Sequence, residues 1–224
     1  MLKAWKAMDD LSSAEKFLNN YQVSASTHVW YALGYLNYLK EDYPNAEKYF
    51  EQAIKMDSKN SLAWNNWGAI LSEKKHYAIA VKKVQRAIEL NPREPIFVWN
   101  LNAIYKKMGE LDRFETEYRK LLQRKSKQRA LTYGKVLARV IRQKAFGFYS
   151  TGELDNTILG FEEMLKIYQE IDDIKGQVPV FFSLGLLHEE KGNRKKAKEY
   201  FTPEISINPN HIQANDKIKT SNSK

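Results

Sequence analysis

The chain has 224 residues, 43% of them hydrophobic and 28% charged, with a formal net charge of +9. That balance suits a folded chain and excludes an intrinsically disordered one. Cysteine is absent, which excludes disulfide staples, cysteine-ligated zinc and thiolate catalysis and fits a reducing compartment.

No apolar run approaches the roughly 20 residues that a membrane span needs. The charged start, Met1 to Asp10, lacks the apolar stretch of a signal peptide. A soluble, cytoplasmic chain is therefore expected.

Residues 1–26 read as a partial unit whose first helix is cut short, with Trp5, Asp9, Leu11, Ala14, Leu18 and Tyr21 at helical spacing. From residue 27 a 34-residue period takes over. Trp30-x-x-Leu33-Gly34 recurs as Trp64-x-x-Trp67-Gly68, and Ala46, Phe50 and Ala53 recur as Ala80, Val84 and Ala87. A third copy carries Val98, Leu101, Tyr105, Tyr118 and Leu121, but Asn102 replaces the glycine and Phe114 the small residue. A divergent copy follows with Ile141, Gly152, Leu154, Thr157, Phe161 and Met164. The last is clear again: Phe181, Leu184, Gly185, Gly192, Ala197, Phe201 and Pro209.

The registers are 27–60, 61–94, 95–128, 138–171 and 178–211, with a short capping helix and a frayed tail over 212–224 anchored by Ile212 and Ile218. Residues 129–137 and 172–177 exceed the period and predict lengthened helices. Pro203 falls inside the second helix of the last unit, where a lost hydrogen bond predicts a kink or an early end.

A fixed period of this length signals stacked helix pairs, because neither helix of a pair can bury its apolar stripe alone. Gly34, Ala46, Gly68, Ala80, Gly185 and Ala197 are small enough for close helix approach. Trp30, Phe50, Trp64 and Phe201 are large enough to fill the space between units.

Residues of this kind at this period resemble the tetratricopeptide repeat family over nearly the whole chain. The resemblance implies an all-α fold: a right-handed superhelical solenoid of antiparallel helix pairs, forming a single domain. It also implies a scaffold or adaptor that binds a partner protein and needs neither cofactor nor metal. In the family, first helices line a concave groove. Carried over place by place, the groove residues include Tyr31, Tyr35, Asn65, Asn66, Trp99, Asn100, Lys106, Arg139, Arg142 and Gln143.

Asn65, Asn66, Asn100 and Gln143 are then expected to pair with a peptide backbone, since a carboxamide both donates and accepts. Tyr31, Tyr35 and Trp99 would stack on the guest, and Lys106, Arg139 and Arg142 would recognise an anion. The family's clamp for a chaperone C-terminus is not expected. Its five places hold Tyr31, Tyr35, Asn66, Ile96 and Asn100, and only the middle asparagine fits.

Catalytic signals are poor. His28, His76, His188 and His211 are scattered without ligand spacing, and His188 stands where the repeat ordinarily has tyrosine. Gly147 to Gly152 has the glycine spacing of a phosphate loop, but Glu153 and Leu154 stand where lysine and serine or threonine are required.

The charge is uneven. Arg119, Lys120, Arg124, Lys125, Lys127, Arg129, Lys135, Arg139, Arg142 and Lys144 carry more than the whole net charge, with no acid between Glu117 and Glu153. A solvated face, an acidic peptide partner and RNA or DNA all fit such a run. The truncated first unit also leaves room for oligomerisation or a place in a larger assembly.

Overall fold

The computed structural model describes residues 11–20, 26–209, 211–214 and 216–217. Trp5, Asp9, Tyr21 and Ile218 therefore lie outside the described residues. The described secondary structure is entirely helical. The helices are α1 (Leu11–Asn19), α2 (Thr27–Leu39), α3 (Tyr43–Met56), α4 (Ser61–Glu73), α5 (Tyr77–Leu90), α6 (Pro95–Met108), α7 (Leu111–Gln123), α8 (Lys127–Ser150), α9 (Leu154–Glu170), α10 (Ile174–Glu190) and α11 (Arg194–Ile207). Among the described residues no helix is long and apolar enough to cross a membrane. The chain divides into two compact units, with the boundary between Thr116 and Glu117.

In the first unit α2 pairs with α3 and α4 with α5, and each pair stacks on the next through α3–α4 and α5–α6. Side-chain caps start several of these helices: Asp42 accepts from the Asn45 amide and Asn60 from the Ala63 amide, satisfying donors the helix itself leaves open. Phe50 is fully buried among Ala46, Ala53, Ala63 and Ile70. Gly34 sits against its ring, and a Cβ there would lie 2.6 Å from Phe50 Cδ1. The residue that must be small and the residue that must be large are one contact. Trp30 and Trp64 are only partly buried: Trp30 stacks on Tyr49 at 5.8 Å and Trp64 on Trp67 at 6.1 Å. On α1, Ala14 and Leu18 are buried against Leu33 and Leu36.

In the second unit α8 pairs with α9, α10 with α11, and α9 packs on α10. The surplus residues 129–137 lie inside α8, which runs for 24 residues. The surplus at 172–177 is shared by the turn after α9 and the first turn of α10, both 17 residues long. Proline at 203 does not end α11, which continues to Ile207. At the C-terminal side Ile212 is 74% exposed and anchors nothing, while Ala214 is fully buried in its stead.

The turn inside each pair repeats as faithfully as the helices. Left-handed backbone falls at Glu41, Lys75, Gly109, Gly152 and Gly192, the same place in all five registers. Glycine adopts it without strain. Glu41 and Lys75 adopt it in spite of a Cβ, held by the helices that close on either side.

Candidate functional site

The first unit brings the predicted amides and tyrosines together. Asn100 on α6 donates to Asn65 Oδ1 on α4 at 2.9 Å, and Asn65 donates to Asn66 Oδ1 at 3.0 Å. Asn66 in turn donates to the Tyr31 hydroxyl on α2 at 3.2 Å. One hydrogen-bonded relay thus crosses three successive first helices. Asn65 is 3% exposed and spends both functions of its amide inside the relay. Asn66, Asn100 and Tyr31 are half-buried.

From Tyr31 an aromatic ladder continues. Tyr31 stacks on Tyr35 at 6.3 Å, Tyr35 on Tyr38 at 6.2 Å, and Tyr38 leans on Tyr43 at 6.2 Å. Phe50 backs Tyr31 at 5.9 Å. Burial pushes the Tyr31 phenol above its ordinary value, and the Asn66 hydrogen bond works against that rise. The Tyr31 hydroxyl is therefore a neutral donor at neutral pH. Trp99 is half-buried on α6, and Lys106 is exposed and makes no ion pair among the described residues.

The other three predicted residues belong to the second unit. Arg139, Arg142 and Gln143 are exposed along α8, and none has a polar partner among the described residues. Burial raises the Tyr168 phenol on α9, with Asp173 adding to it, while the nearby Arg142 and Arg139 oppose it. Of the basic run, Arg119 bonds Glu170 at 2.8 Å and Lys135 reaches Asp173 at 3.2 Å. Lys120, Arg124, Lys125, Lys127, Arg129, Arg139, Arg142 and Lys144 form no ion pair among the described residues.

Sequence reasoning missed a feature beside these arginines. Phe146, 55% exposed, meets Phe161 edge-on at 5.7 Å and opens a cleft of about 160 Å³ reaching Leu186, Leu187 and Glu190. Tyr149 closes one side and donates to Glu190 at 3.2 Å. The signal was available: Phe146 follows Arg139 and Arg142 at helical spacing, on the face assigned to the groove.

His188 is a packed core residue. It is 3% exposed, stacked on Tyr200 at 5.4 Å, and neither ring nitrogen has a hydrogen-bond partner among the described residues. Burial first, then the Lys196 charge, hold its pKa below the ordinary 6.5. The unfolded chain therefore binds this proton more readily. The stability lent by the neutral ring is full above about pH 6.5 and is lost as pH falls through and below that value. In urea melts at pH 7.5 and 5.0, His188→Phe is expected to lose less stability than wild type on acidification. An equal loss in both would remove this role. Among the described residues no group of three His, Asp or Glu is placed to hold a metal ion.

Helix pairs that bury one another in a common register, and leave polar and aromatic rows on their first helices, define a helical-repeat scaffold. Residues 27–60 and 178–211 each match the tetratricopeptide repeat family, and the chain is a tetratricopeptide repeat protein. A TPR repeat-containing protein of Methanocaldococcus jannaschii is 23% identical over 211 residues, 92% of this chain and 35% of its own length. The heat shock protein sti1 homolog of Schizosaccharomyces pombe is 32% identical over 87 residues, 39% of this chain and 15% of its own length. The chain thus spans about a third of the first relative and less of the second. Among solved structures, the human IFIT1 dimer with PPP-AAAA shares the fold, with a TM-score of 0.52 and 15% identity over 91% of this chain and 53% of that one.

Proposed function

We propose that this chain acts by binding, holding an extended segment of a partner protein along the exposed faces of its first helices. The relay from Asn100 through Asn65 and Asn66 to Tyr31 carries the reading. It fixes three amides and a phenol in advance, so a guest need not pay to order them. Each end keeps unused capacity: Asn100 Oδ1 accepts, and the Tyr31 hydroxyl donates. A peptide backbone, with one donor and one acceptor per residue, matches both ends whatever its side chains. Asn65 positions its neighbours, Tyr35 and Trp99 offer aromatic surface, and Lys106, Arg139 and Arg142 favour an acidic guest.

Replacing Asn66 and Asn100 together by alanine removes the Asn100 bond to the guest and the Asn66 bond that orients the Tyr31 hydroxyl, at about 0.5–1.5 kcal/mol each, so affinity should fall roughly 5- to 150-fold. The measurement compares partners retained from native lysate by wild type and by the double variant. Equal retention would sink the reading.

The cations between Lys120 and Lys144 other than Lys135, which form no ion pair among the described residues, favour one second reading, an RNA partner. That reading predicts retention on heparin and steep weakening with salt, because bound phosphates release counterions. A flat salt response dismisses it.

A further inference from the structure

We propose that α8, with the cleft it shares with α9 and α10, takes a partner segment carrying one large apolar side chain and acidic residues on one side of it only. The inference rests on the protein-binding reading above and names the chemistry of the guest at the second unit.

Arg139, Arg142, Phe146 and Tyr149 fall on one face of α8 at successive helical turns, and all four are exposed. The face begins with two guanidinium groups that have no ion pair among the described residues and ends in an aromatic rim. Phe146, Tyr149 and Leu186 are 55%, 46% and 37% exposed around a single cleft. Apolar side chains scattered singly over a surface mean little, but here they line a concavity.

The size of the cleft selects the guest. Small-molecule sites run from about 300 to 1,000 Å³, whereas an apolar cavity of about 150 Å³ takes up a group the size of benzene. At about 160 Å³ the cleft admits one leucine- or phenylalanine-sized side chain.

Charge sets the flanks. Glu190 lies on the far side of the cleft, bonded to Tyr149, and repels an acid placed there. Arg142 and Arg139 precede Phe146 by four and seven residues, roughly 6 and 10 Å along the helix. An extended segment rises about 3.3 Å per residue, so its acids fall two and three positions from the apolar anchor, toward Arg139.

The test uses the full chain and fluorescein-labelled peptides read by anisotropy. One peptide places Asp-Asp-Gly before a central Leu and a second places Gly-Asp-Asp after it, covering both chain directions. Controls exchange Leu for Ser or the Asp pair for Lys. One of the two should bind, weakening at least 10-fold with Ser and at least 10-fold with Lys. Phe146→Ala should abolish the Leu-over-Ser preference, and Arg142→Glu should reverse the Asp-over-Lys preference. Both positions are exposed, and circular dichroism checks that each variant folds.

The proposal is overturned if neither peptide binds, if Leu and Ser bind alike, or if Phe146→Ala leaves the preference intact. A single-stranded RNA that displaces the peptide and depends on the same residues would also overturn it. Lysate partners lost by the Asn66→Ala, Asn100→Ala chain but kept by Phe146→Ala would sink this inference alone and leave the broader reading standing.

Discussion

Replacing Phe50 by alanine is expected to cost the first unit about 3–5 kcal/mol, a large part of the 5–15 kcal/mol that ordinarily separates folded from unfolded domains. The ring is fully buried, touches the backbone at Gly34 and supports Tyr31 from behind. Gly34 has no side chain to move into the space, so the hole cannot collapse, and a cavity that persists carries the upper end of the penalty. In a repeat array each unit is stabilised by its neighbours. The loss should therefore lower the urea midpoint of the first unit as a whole, leaving the second unit's transition nearly in place. Tyr31 fluorescence and partner binding should fall with it. A penalty under about 1 kcal/mol would mean that the pair repacks without its largest filler.

The second large effect is expected at the opposite end of the chain. Glu204 is fully buried, its Oε1 lies 2.5 Å from His211 Nδ1, and its Oε2 has no partner among the described residues. His211 also lies against Phe182 at 4.6 Å. Only Glu204 is buried, so removing His211 leaves a buried carboxyl without that partner, and His211→Ala should cost about 1–3 kcal/mol. Replacing Glu204 by leucine in the same chain should recover most of that loss, because a buried pair exchanged for apolar atoms is often neutral. Chemical denaturation of the two chains beside wild type makes the comparison. If the double variant is no better than His211→Ala, the cost lies in the lost imidazole packing and not in the orphaned carboxylate.

The repeat was legible because burial between helix pairs demands side chains of given size at fixed intervals, and Trp30, Gly34, Phe50, Trp64 and Gly68 show that demand openly. The long α8 followed from nine surplus residues at 129–137. The left-handed turns were legible only where glycine marks them. Glu41 and Lys75 adopt the same backbone under tertiary constraint that no local propensity displays. Pro203 misled about the end of α11 because a single missing donor is outweighed by the bonds around it. Asn208 still donates to the Glu204 carbonyl at 2.8 Å.

In the candidate site, the family register found the amides and the arginines one by one. It could not find that the amides bind each other, since that depends on which side-chain faces approach within 3 Å. Phe146 was lost for a different reason. Its place in the register puts it on the groove face, but only the fold shows the cleft it opens with Phe161, Leu186 and Glu190.

The amide relay couples places that no single guest residue would touch together. Each amide that donates at one end accepts more strongly at the other, so hydrogen bonds in a row reinforce one another. A guest that accepts the Tyr31 proton and donates to Asn100 Oδ1 closes the row at both ends and gains more than two separate contacts would give. A guest that reaches one end alone forgoes that gain. If a partner segment binds there as proposed, three helices of the first unit would act as a gauge of length, favouring segments long enough to run from α2 to α6.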